Sequence, residues 1–230
     1  MTTTLITGAN KGLGYETARR LIEAGHTVWM AARDEQRGRT AADELGGSFV
    51  QLDVTDDQSV ADAAETIANA GGLDVLINNA GIHGALGDPI QLTAADALDV
   101  YNTNVASVVR MTHAFVPVLR DSSIPTIVNV SSGMGSFTFV LDPERVESSL
   151  IMPLYQSSKS AVTMLTVQYA KALPDMRVNA ADPGYTKTDF NEGHGHFTVQ
   201  EGTDAIVELA TREGSGPTGT IIDRTGVVPF

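Results

Sequence analysis

Residues 7–14 of the chain read Thr7-Gly8-Ala9-Asn10-Lys11-Gly12-Leu13-Gly14 and join a short apolar strand to a helical pattern. Glycines at such a tight turn let the backbone approach a ligand closely. The free N–H groups and the positive dipole end of the following helix favour an anion such as a diphosphate. The spacing is G-x-x-x-G-x-G, not the commoner G-x-G-x-x-G. The stretch predicts a βα unit that binds a dinucleotide, and a plain βα turn without a ligand is the alternative.

Composition and charge restrict the kinds of protein this chain can be. It has 230 residues, of which 42% are hydrophobic, so we predict a single dinucleotide-binding catalytic domain over residues 1–230. Cysteine is absent, which excludes disulfides and thiolate catalysis, and we predict no metal site. The net charge of −13 argues against nucleic acid and anionic membranes as partners. No run is long enough to span a membrane and no leader precedes the first strand, so we expect a cytoplasmic protein.

Strand-like and helix-like patterns alternate along the whole chain. The predicted strands are residues 3–7, 27–32, 48–53, 73–77, 126–131, 177–181 and 220–222. The predicted helices are residues 12–24, 34–45, 56–70, 93–120 with a break near 101–104, 153–172 and 199–211. This alternation predicts a single-domain, Rossmann-like α/β fold, with a doubly wound parallel sheet of about seven strands and helices on both faces. Residues 133–152 and 187–198 lack periodicity and are predicted to be functional or mobile loops.

Candidate cofactor groups follow the strands, at the sheet edge where doubly wound folds bind ligands. Arg33 follows the second strand, where an NAD-selective site has a carboxylate. Together with Lys11 and Arg37, it is predicted to hold a 2′-phosphate, because a guanidinium pairs with phosphate oxygens bidentately. The alternative is that Arg33 and Asp34 are solvent-exposed residues at the start of the next helix. Asp53 ends the third strand and Val54 follows it, and the Asp53 carboxylate either accepts an adenine amino group or forms a turn.

Further polar groups follow the later strands. Asn78-Asn79-Ala80-Gly81 ends the fourth strand and predicts either a turn that a ligand ring approaches or a plain Asx turn. Tyr155 and Lys159 lie four residues apart and share a helix face, so the Lys is expected to lower the Tyr pKa for acid–base catalysis. The pair Ser131-Ser132 ends the fifth strand and can supply a hydroxyl to a carbonyl oxygen.

Taken in chain order, these motifs resemble the short-chain dehydrogenase/reductase family over nearly the whole chain. The resemblance is carried by Thr7-Gly8-x-x-x-Gly12-x-Gly14, Asp53, Asn78-Asn79-Ala80-Gly81, Asn104, Ser132, Tyr155-x-x-x-Lys159 and Pro183-Gly184-x-x-x-Thr188. The Asn-Lys before Gly12 and the Ala-Arg-Asp at 32–34, with Arg37, are similar to the NADPH-dependent carbonyl reductase branch.

The resemblance implies a reductase that uses NADPH to transfer hydride to a ketone, aldehyde or quinone. It implies that Tyr155 donates the proton, Lys159 binds the nicotinamide ribose, Ser132 holds the carbonyl oxygen and Asn104 holds a water linked to Lys159. Ser132 is preferred to Ser131 because the family serine occupies the later position. The implied cofactor-binding residues are Gly8, Asn10, Lys11, Gly12, Leu13, Gly14, Arg33, Arg37, Asp53, Val54, Asn79, Ala80, Gly81, Tyr155, Lys159, Pro183, Gly184, Thr186 and Thr188.

Several features leave alternatives. An NAD-dependent alcohol dehydrogenase and a non-catalytic NADP(H)-sensing protein fit the same scaffold. For this chain, NADH is a less expected cofactor than NADPH. The 23 positions from Ser132 to Tyr155 exceed the usual family spacing. In the carbonyl reductase branch a similar insertion blocks oligomer contacts, so the resemblance leaves a monomer open beside a homodimer or tetramer. An apolar or aromatic substrate is expected if two groups of apolar side chains line the pocket and do not merely pack the loops. These groups are Phe137, Phe139, Leu141, Ile151 and Met152, and Tyr185, Phe190 and Phe197.

Overall fold

One eight-stranded sheet forms the centre of the computed structural model, which describes residues 1–212 and 216–230. The strands are β1 (Thr3–Thr7), β2 (Thr27–Ala32), β3 (Ser48–Gln51), β4 (Val75–Asn78), β5 (Thr126–Val130), β6 (Arg177–Ala181), β7 (Ile221–Asp223) and β8 (Gly226–Val227). Their order is β3-β2-β1-β4-β5-β6-β7-β8, and only the β7–β8 pair is antiparallel. The predicted doubly wound parallel sheet is confirmed. The estimate of about seven strands missed β8, because a two-residue strand has no alternation to detect.

Helices cover both faces of the sheet. They are α1 (Gly12–Glu23), α2 (Glu35–Leu45), α3 (Asp57–Asn69), α4 (Ala94–Tyr101), α5 (Ser107–Leu119), α6 (Phe137–Leu141), α7 (Val146–Ser149), α8 (Pro153–Ala172), α9 (Val199–Gly202) and α10 (Asp204–Thr211). The break predicted near residues 101–104 is a π-helical segment, Asn102–Ala106, between α4 and α5. The predicted helix at 199–211 is divided at Thr203 into α9 and α10.

The two segments predicted to be loops contain short helical turns. Residues 133–152 include α6 and α7, and the 3-10 turn Asp189–Asn191 lies within residues 187–198. The Ser136 hydroxyl caps α6 by accepting the Phe139 N–H at 3.2 Å. Turns of three to five residues are too short to show a helical period, so the sequence did not reveal them.

Neighbouring residues of the strands pack into opposite layers, as the pleat of a strand requires. Leu5 is fully buried beneath the layer that contains Phe115 of α5. Ile6 is fully buried beneath the opposite layer, which contains Leu21 of α1 and Ile206 of α10. Burial on both sides explains why the strands are nearly continuous apolar runs.

The winding direction of the sheet reverses between β1 and β4, which are neighbours in the sheet. In doubly wound sheets the crevice outside the carboxyl ends of such strands binds ligands. The glycine turn follows β1 and the Asn78-Asn79 turn follows β4, so both lie at this crevice. Across residues 1–212 and 216–230, no helix combines the length and apolar character needed to cross a membrane.

Candidate active site

The glycine turn after β1 has a backbone that other residues would not adopt without strain. Gly8 and Gly12 have φ values of 64° and 56°, in the left-handed region. At Gly14, a Cβ would lie 2.4 Å from the Gly8 carbonyl oxygen and 2.6 Å from Asn79 Nδ2. The turn and α1 therefore meet so closely that only glycine fits at residue 14.

The turn after β4 holds the glycine turn in place. The Thr7 hydroxyl oxygen accepts the backbone N–H groups of Asn79 at 2.9 Å and Ala80 at 3.0 Å. Asn79 Nδ2 donates to the carbonyl oxygens of Thr7 at 2.8 Å and Gly8 at 3.2 Å. The Asn79 side chain thus supports the glycine turn, and Thr7 joins the two turns, a role that we did not predict.

The N-terminus of α1 differs from those of the next three helices. Asp34, Asp56 and Thr93 each accept a backbone N–H in the first turn of α2, α3 and α4. Lys11 precedes α1 and makes no such bond, and no side chain within the described part of the chain caps that helix. The first amides of α1 therefore remain available to an anionic ligand.

The three predicted phosphate-binding cations have different surroundings. Lys11 Nζ forms an exposed ion pair with Asp189 at 3.2 Å. Arg37 Nε lies 3.7 Å from Asp34, the residue that caps α2. Arg33 is exposed and forms none of the ion pairs found in residues 1–212 and 216–230. Of these three side chains, that of Arg33 is the most available to a new anion.

Asp53 forms a turn, which is one of the two alternatives that we predicted for it. Its Oδ1 accepts the Thr55 N–H at 2.9 Å and the Thr55 hydroxyl at 2.7 Å. These bonds lower the pKa of the Asp53 carboxyl, and Arg33 contributes to the same shift. Val54 follows as a buried residue, and its carbonyl oxygen accepts from Arg110 at 2.7 Å. The carboxylate therefore stays ionised and can still accept from a ligand through its other oxygen.

Tyr155 and Lys159 lie in the first turns of α8, beside the end of β5. Lys159 is 5% exposed and its Nζ donates to the Val130 carbonyl oxygen at 2.8 Å. The same Nζ lies 5.6 Å from the centroid of the Tyr155 ring. The Ser132 hydroxyl interacts with the Tyr155 hydroxyl and acts to lower the Tyr155 pKa. The Ser132, Tyr155 and Lys159 side chains therefore form one cluster at the carboxyl edge of the sheet.

The two serines after β5 have different environments. Ser131 is buried, and its hydroxyl bonds the Lys159 carbonyl oxygen at 3.2 Å and the Thr163 hydroxyl at 3.0 Å. Ser132 begins a 3-10 turn and its hydroxyl oxygen accepts the Met134 N–H at 3.2 Å. Ser131 thus anchors α8, which leaves Ser132 as the serine beside Tyr155.

Asn104 lies in the π-helical segment and connects it to two other elements. Its Nδ2 donates to the Ile82 carbonyl oxygen at 2.8 Å and to the Ser158 hydroxyl at 2.9 Å, and its Oδ1 accepts the Ile82 N–H at 2.8 Å. Both amide N–H donors are therefore used within the protein. A Cβ at Gly81 would lie 3.2 Å from Asn104 Oδ1 and 3.7 Å from Lys159 Nζ, so residue 81 leaves the space between them open.

Burial controls the titration of Tyr155 and Lys159. It raises the pKa of Tyr155 and lowers the pKa of Lys159 to about 8, because in both cases the charged form is desolvated. We predicted that Lys159 would lower the Tyr155 pKa. The structure differs, since burial of the phenol outweighs the opposing interaction with Ser132. Free of ligands, the pair therefore favours a protonated Tyr155.

The shifted pKa of Lys159 predicts a change of stability with pH. Its folded-state value of about 8 lies below its ordinary value of 10.5, so the unfolded chain binds more protons between these limits. Stability must then rise with pH through this window. Relative to the Lys159→Met variant, we expect the unfolding free energy of the wild type to increase by about 3 kcal/mol between pH 8 and 10.5. Denaturant titrations across that range measure it, and parallel curves for the two proteins would contradict it.

The loop after β6 returns to the glycine turn. Thr186 is buried and its hydroxyl donates to the Pro183 carbonyl oxygen at 2.8 Å. Gly184 has a φ of 66°, and a Cβ there would meet the Phe197 ring at 2.7 Å. A Cβ at Gly12 would lie 3.8 Å from Thr188 Cγ2. The residues predicted from the first and last motifs are therefore brought together.

Apolar side chains near Tyr155 form a small cavity, but not all of those predicted. Ile151 and Met152 line it with His83 and Leu86. The ring centroid of Phe190 lies 5.7 Å from that of Tyr155 and 5.2 Å from that of His83, two of the residues that line the cavity.

Other predicted wall residues lie elsewhere. Phe137 and Leu141 are exposed, and Phe139 packs against Ala180 and Ile221. Phe197 packs on Gly184, and the Tyr185 ring lies edge-on to that of His196 at 5.5 Å. The packing alternative therefore describes Phe139 and Phe197, whereas Phe137 and Leu141 face solvent.

Asp182 is a buried residue at this edge that sequence analysis did not identify. It is 4% exposed and its Oδ1 accepts the Gly184 N–H at 2.9 Å. The sequence contains a signal that could have identified it. Asp182 follows an apolar strand directly and is the only charged residue between Arg177 and Lys187.

Comparisons with known proteins agree with this geometry. A family model described as short chain dehydrogenase matches residues 2–197. Short-chain dehydrogenase anuI of Penicillium roqueforti is 38% identical over 225 residues, which cover 92% of this chain and 88% of that protein. Salutaridine reductase of Papaver bracteatum is 30% identical, with 98% of this chain and 95% of that protein covered.

Solved structures show the same relationship. An NADPH-bound carbonyl reductase from chicken fatty liver superimposes with a TM-score of 0.88 at 26% identity, over 100% of this chain and 94% of that one. Salutaridine reductase from Papaver somniferum superimposes with a TM-score of 0.86 at 27% identity, over 97% of this chain and 100% of that one. With the glycine turn and the Ser132, Tyr155 and Lys159 cluster in the expected places, this chain belongs to the short-chain dehydrogenase/reductase family, whose members are oxidoreductases.

Proposed function

We propose that this protein is an NADPH-dependent reductase that transfers hydride to a carbonyl carbon, with Tyr155 as the general acid. One observation carries the proposal: the uncapped amides of α1 and the cluster of Ser132, Tyr155 and Lys159 lie at the same edge of one sheet. The first is suited to a diphosphate and the second to proton transfer. A dinucleotide bound across the β1–β4 crevice would reach from one to the other.

The residues present fit a nicotinamide dinucleotide. The close approach of Gly14 to Gly8 makes a turn that has no room for a Cβ, and the adjacent amides are free. Arg33 offers a guanidinium that forms no ion pair with any residue in 1–212 or 216–230, and Lys11 can contribute only if it gives up its exposed ion pair with Asp189. When bound, the nicotinamide supplies the hydride. The Pro183–Thr188 loop, folded back to within reach of Gly12, would hold its carboxamide end.

Tyr155 and Ser132 would handle the carbonyl oxygen. Burial keeps the Tyr155 phenol protonated, which is the form that a general acid needs in the direction of reduction. The Ser132 hydroxyl, which interacts with that of Tyr155, would bind the same oxygen and stabilise the charge that develops on it. Lys159 would stabilise the phenolate left after proton transfer and bind the ribose. Asn104 would support this side by fixing Ile82 against α8.

The substrate is proposed to be an apolar carbonyl compound. The cavity at Tyr155 is lined by Leu86, Ile151 and Met152, and Phe190 offers an aromatic face beside the reacting hydroxyl. Relatives named salutaridine reductase and (−)-isopiperitenone reductase support the direction of reduction. Incubation with NADPH and a panel of aromatic aldehydes, diketones and quinones tests the proposal, and no NADPH oxidation above background on any of them would contradict it.

Cofactor preference gives a separate prediction. Arg33→Ala is expected to weaken NADPH binding by roughly 1–3 kcal/mol, the scale of a hydrogen bond to a charged group, and to leave NADH binding nearly unchanged. Fluorescence titrations with both cofactors measure this. Arg39→Ala is the matched control, because Arg39 is an exposed Arg on α2 already paired with Glu35 at 2.8 Å. Equal wild-type affinities for NADPH and NADH would favour the NAD-dependent alternative. Tight NADPH binding without turnover would favour the sensing alternative.

A further inference from the structure

His83 is one of two residues with a strongly hydrogen-bonding side chain in the lining of the cavity beside Tyr155. Ten residues of the described part of the chain line this cavity, and all of them except His83 and Tyr155 are apolar. In small-molecule sites, a few polar groups in an apolar lining fix the orientation of the ligand. With the Tyr155 hydroxyl at the carbonyl oxygen, the His83 imidazole is the side chain of this lining that remains for a second polar group of the substrate.

One nitrogen of the His83 ring is held by the backbone. Nδ1 lies 2.6 Å from the Gly84 carbonyl oxygen. A carbonyl oxygen can only accept, so Nδ1 carries a proton and donates it. In a neutral imidazole the other nitrogen, Nε2, is then an acceptor. Nε2 makes none of the hydrogen bonds found within residues 1–212 and 216–230. The neutral ring therefore has an acceptor to offer to a ligand.

The residues on both sides of His83 are fixed in place. Gly84 has a φ of 75°, and a Cβ there would collide with the side chain of Val100, a fully buried residue of α4. On the other side, Asn104 accepts the Ile82 N–H and donates to the Ile82 carbonyl oxygen, both at 2.8 Å. The carbonyl group that orients the His83 ring is thus itself held by packing. An acceptor that is already oriented loses little conformational freedom when a ligand binds.

Phe190 connects the His83 ring to the Tyr155 ring. Its centroid lies 5.2 Å from that of His83, with the planes at 80°, and 5.7 Å from that of Tyr155, with the planes at 54°. The edge-to-face contact with Phe190 favours one arrangement of the His83 ring. The His83 and Tyr155 centroids therefore lie within about 11 Å of each other, the sum of these two distances. A substituted aromatic aldehyde is long enough to contact both residues.

We infer that His83 is a specificity-determining residue, whose Nε2 accepts a hydrogen bond from a donor group of the substrate while Tyr155 engages the carbonyl oxygen. The inference rests on the proposed function and narrows its substrate to an apolar carbonyl compound that carries a hydroxyl or N–H group. A site that hydrogen-bonds a substrate hydroxyl discriminates against the analogue that lacks it, because the polar group of the site is then left unpaired. A His83 ring that only packs against Phe190 would not discriminate in this way.

The first test measures this discrimination with two pairs of aldehydes. They are 3-(hydroxymethyl)benzaldehyde with 3-ethylbenzaldehyde, and the two corresponding 4-substituted compounds, because hydroxymethyl and ethyl groups have nearly the same shape. The variant is His83→Phe, which keeps a ring against Phe190 and has no acceptor. At about pH 8, where an ordinary imidazole is neutral, the ratio of kcat/KM for hydroxymethyl over ethyl should be about tenfold higher in the wild type for at least one pair, the scale of one hydrogen bond.

Comparing ratios between proteins removes the intrinsic difference in reactivity between the aldehydes, which is the same for both. His113→Phe is the matched control, since it removes an imidazole from an exposed position on α5, outside the cavity lining. Its ratios should equal those of the wild type. His83→Leu is the second variant, in case His83→Phe does not fold. Ratios that are the same in the wild type and the folded His83 variant for both pairs would overturn the inference.

The second test needs no turnover. A long-range ¹H–¹⁵N correlation spectrum shows which nitrogen of each imidazole is protonated. The chain has five histidines, and the His83 signals are assigned by their loss in His83→Phe. We expect the form protonated at Nδ1 near pH 8, and the form protonated at Nε2 would overturn the inference. A protein that shows the Nδ1 form but reduces none of the aldehydes would refute the proposed reductase activity. The same ratios, measured as dissociation constants with NADPH present, would then decide the role of His83.

Discussion

Replacing Tyr155 with phenylalanine is expected to lower kcat for carbonyl reduction by roughly 10²–10⁴-fold, the contribution of a positioned general acid. The substitution removes the hydroxyl that interacts with Ser132 and leaves the ring beside Phe190 in place. NADPH affinity should change little, because the glycine turn and Arg33 lie on other elements. Stopped-flow NADPH oxidation and a binding titration together measure the two effects.

Tyr169→Phe is the matched control for this prediction. Tyr169 lies on the same helix, α8, and is half-buried against the core, so its loss removes a similar hydroxyl away from the site. Its kcat should equal that of the wild type. A Tyr155→Phe enzyme that reduces the substrate at the wild-type rate would exclude Tyr155 as the proton donor.

Gly14→Ala is expected to abolish cofactor binding and to reduce stability. Alanine inside a helix is normally favoured over glycine by about 1 kcal/mol. At residue 14 we expect alanine to lower the stability, because the new Cβ would lie 2.4 Å from the Gly8 carbonyl oxygen and 2.6 Å from Asn79 Nδ2. Overpacking of this kind costs typically 1–3 kcal/mol, and relief of the clash would displace the amides proposed to hold the diphosphate.

Denaturant unfolding and NADPH titration of the Gly14→Ala variant measure both effects. Gly47→Ala is the control, since a Cβ at Gly47 faces the flexible end of the Met30 side chain at 3.1 Å, far from the turn. That variant should keep its NADPH affinity. Wild-type affinity in Gly14→Ala would show that the turn is not the diphosphate site.

Much of the fold could be predicted because each strand is short, apolar and followed by an amphipathic helix. The break near residues 101–104 was also visible, since Asn102 and Asn104 interrupt an apolar helical pattern. The two-residue strand β8 could not be found, because its pairing depends on the Asp223 turn that reverses the chain beside β7. Its formation is a tertiary effect that no local pattern records.

The site was predictable where a residue's role depends on its position after a strand. Ser132, Tyr155 and Lys159 meet because β5 and α8 bring them together. The direction in which a side chain points was not predictable. Phe139 was expected at the substrate pocket, yet its ring packs beneath the Arg145 guanidinium. The Arg145 Cζ lies 3.4 Å from the centroid of the Phe139 ring. Asp182 was overlooked because Gly133, against which its Oδ2 packs, belongs to a loop that is distant in the sequence.

The central claim is hydride transfer from NADPH to a carbonyl carbon in this protein. It is tested most directly by a turnover with NADPH deuterated at nicotinamide C4, with the two epimers used separately and the product analysed by mass spectrometry. We predict that one epimer delivers deuterium to the new carbinol carbon, with one alcohol formed for each NADPH consumed, and that Tyr155→Phe forms almost none. Alcohol without deuterium from either epimer, or NADPH bound and never oxidised, would contradict the account.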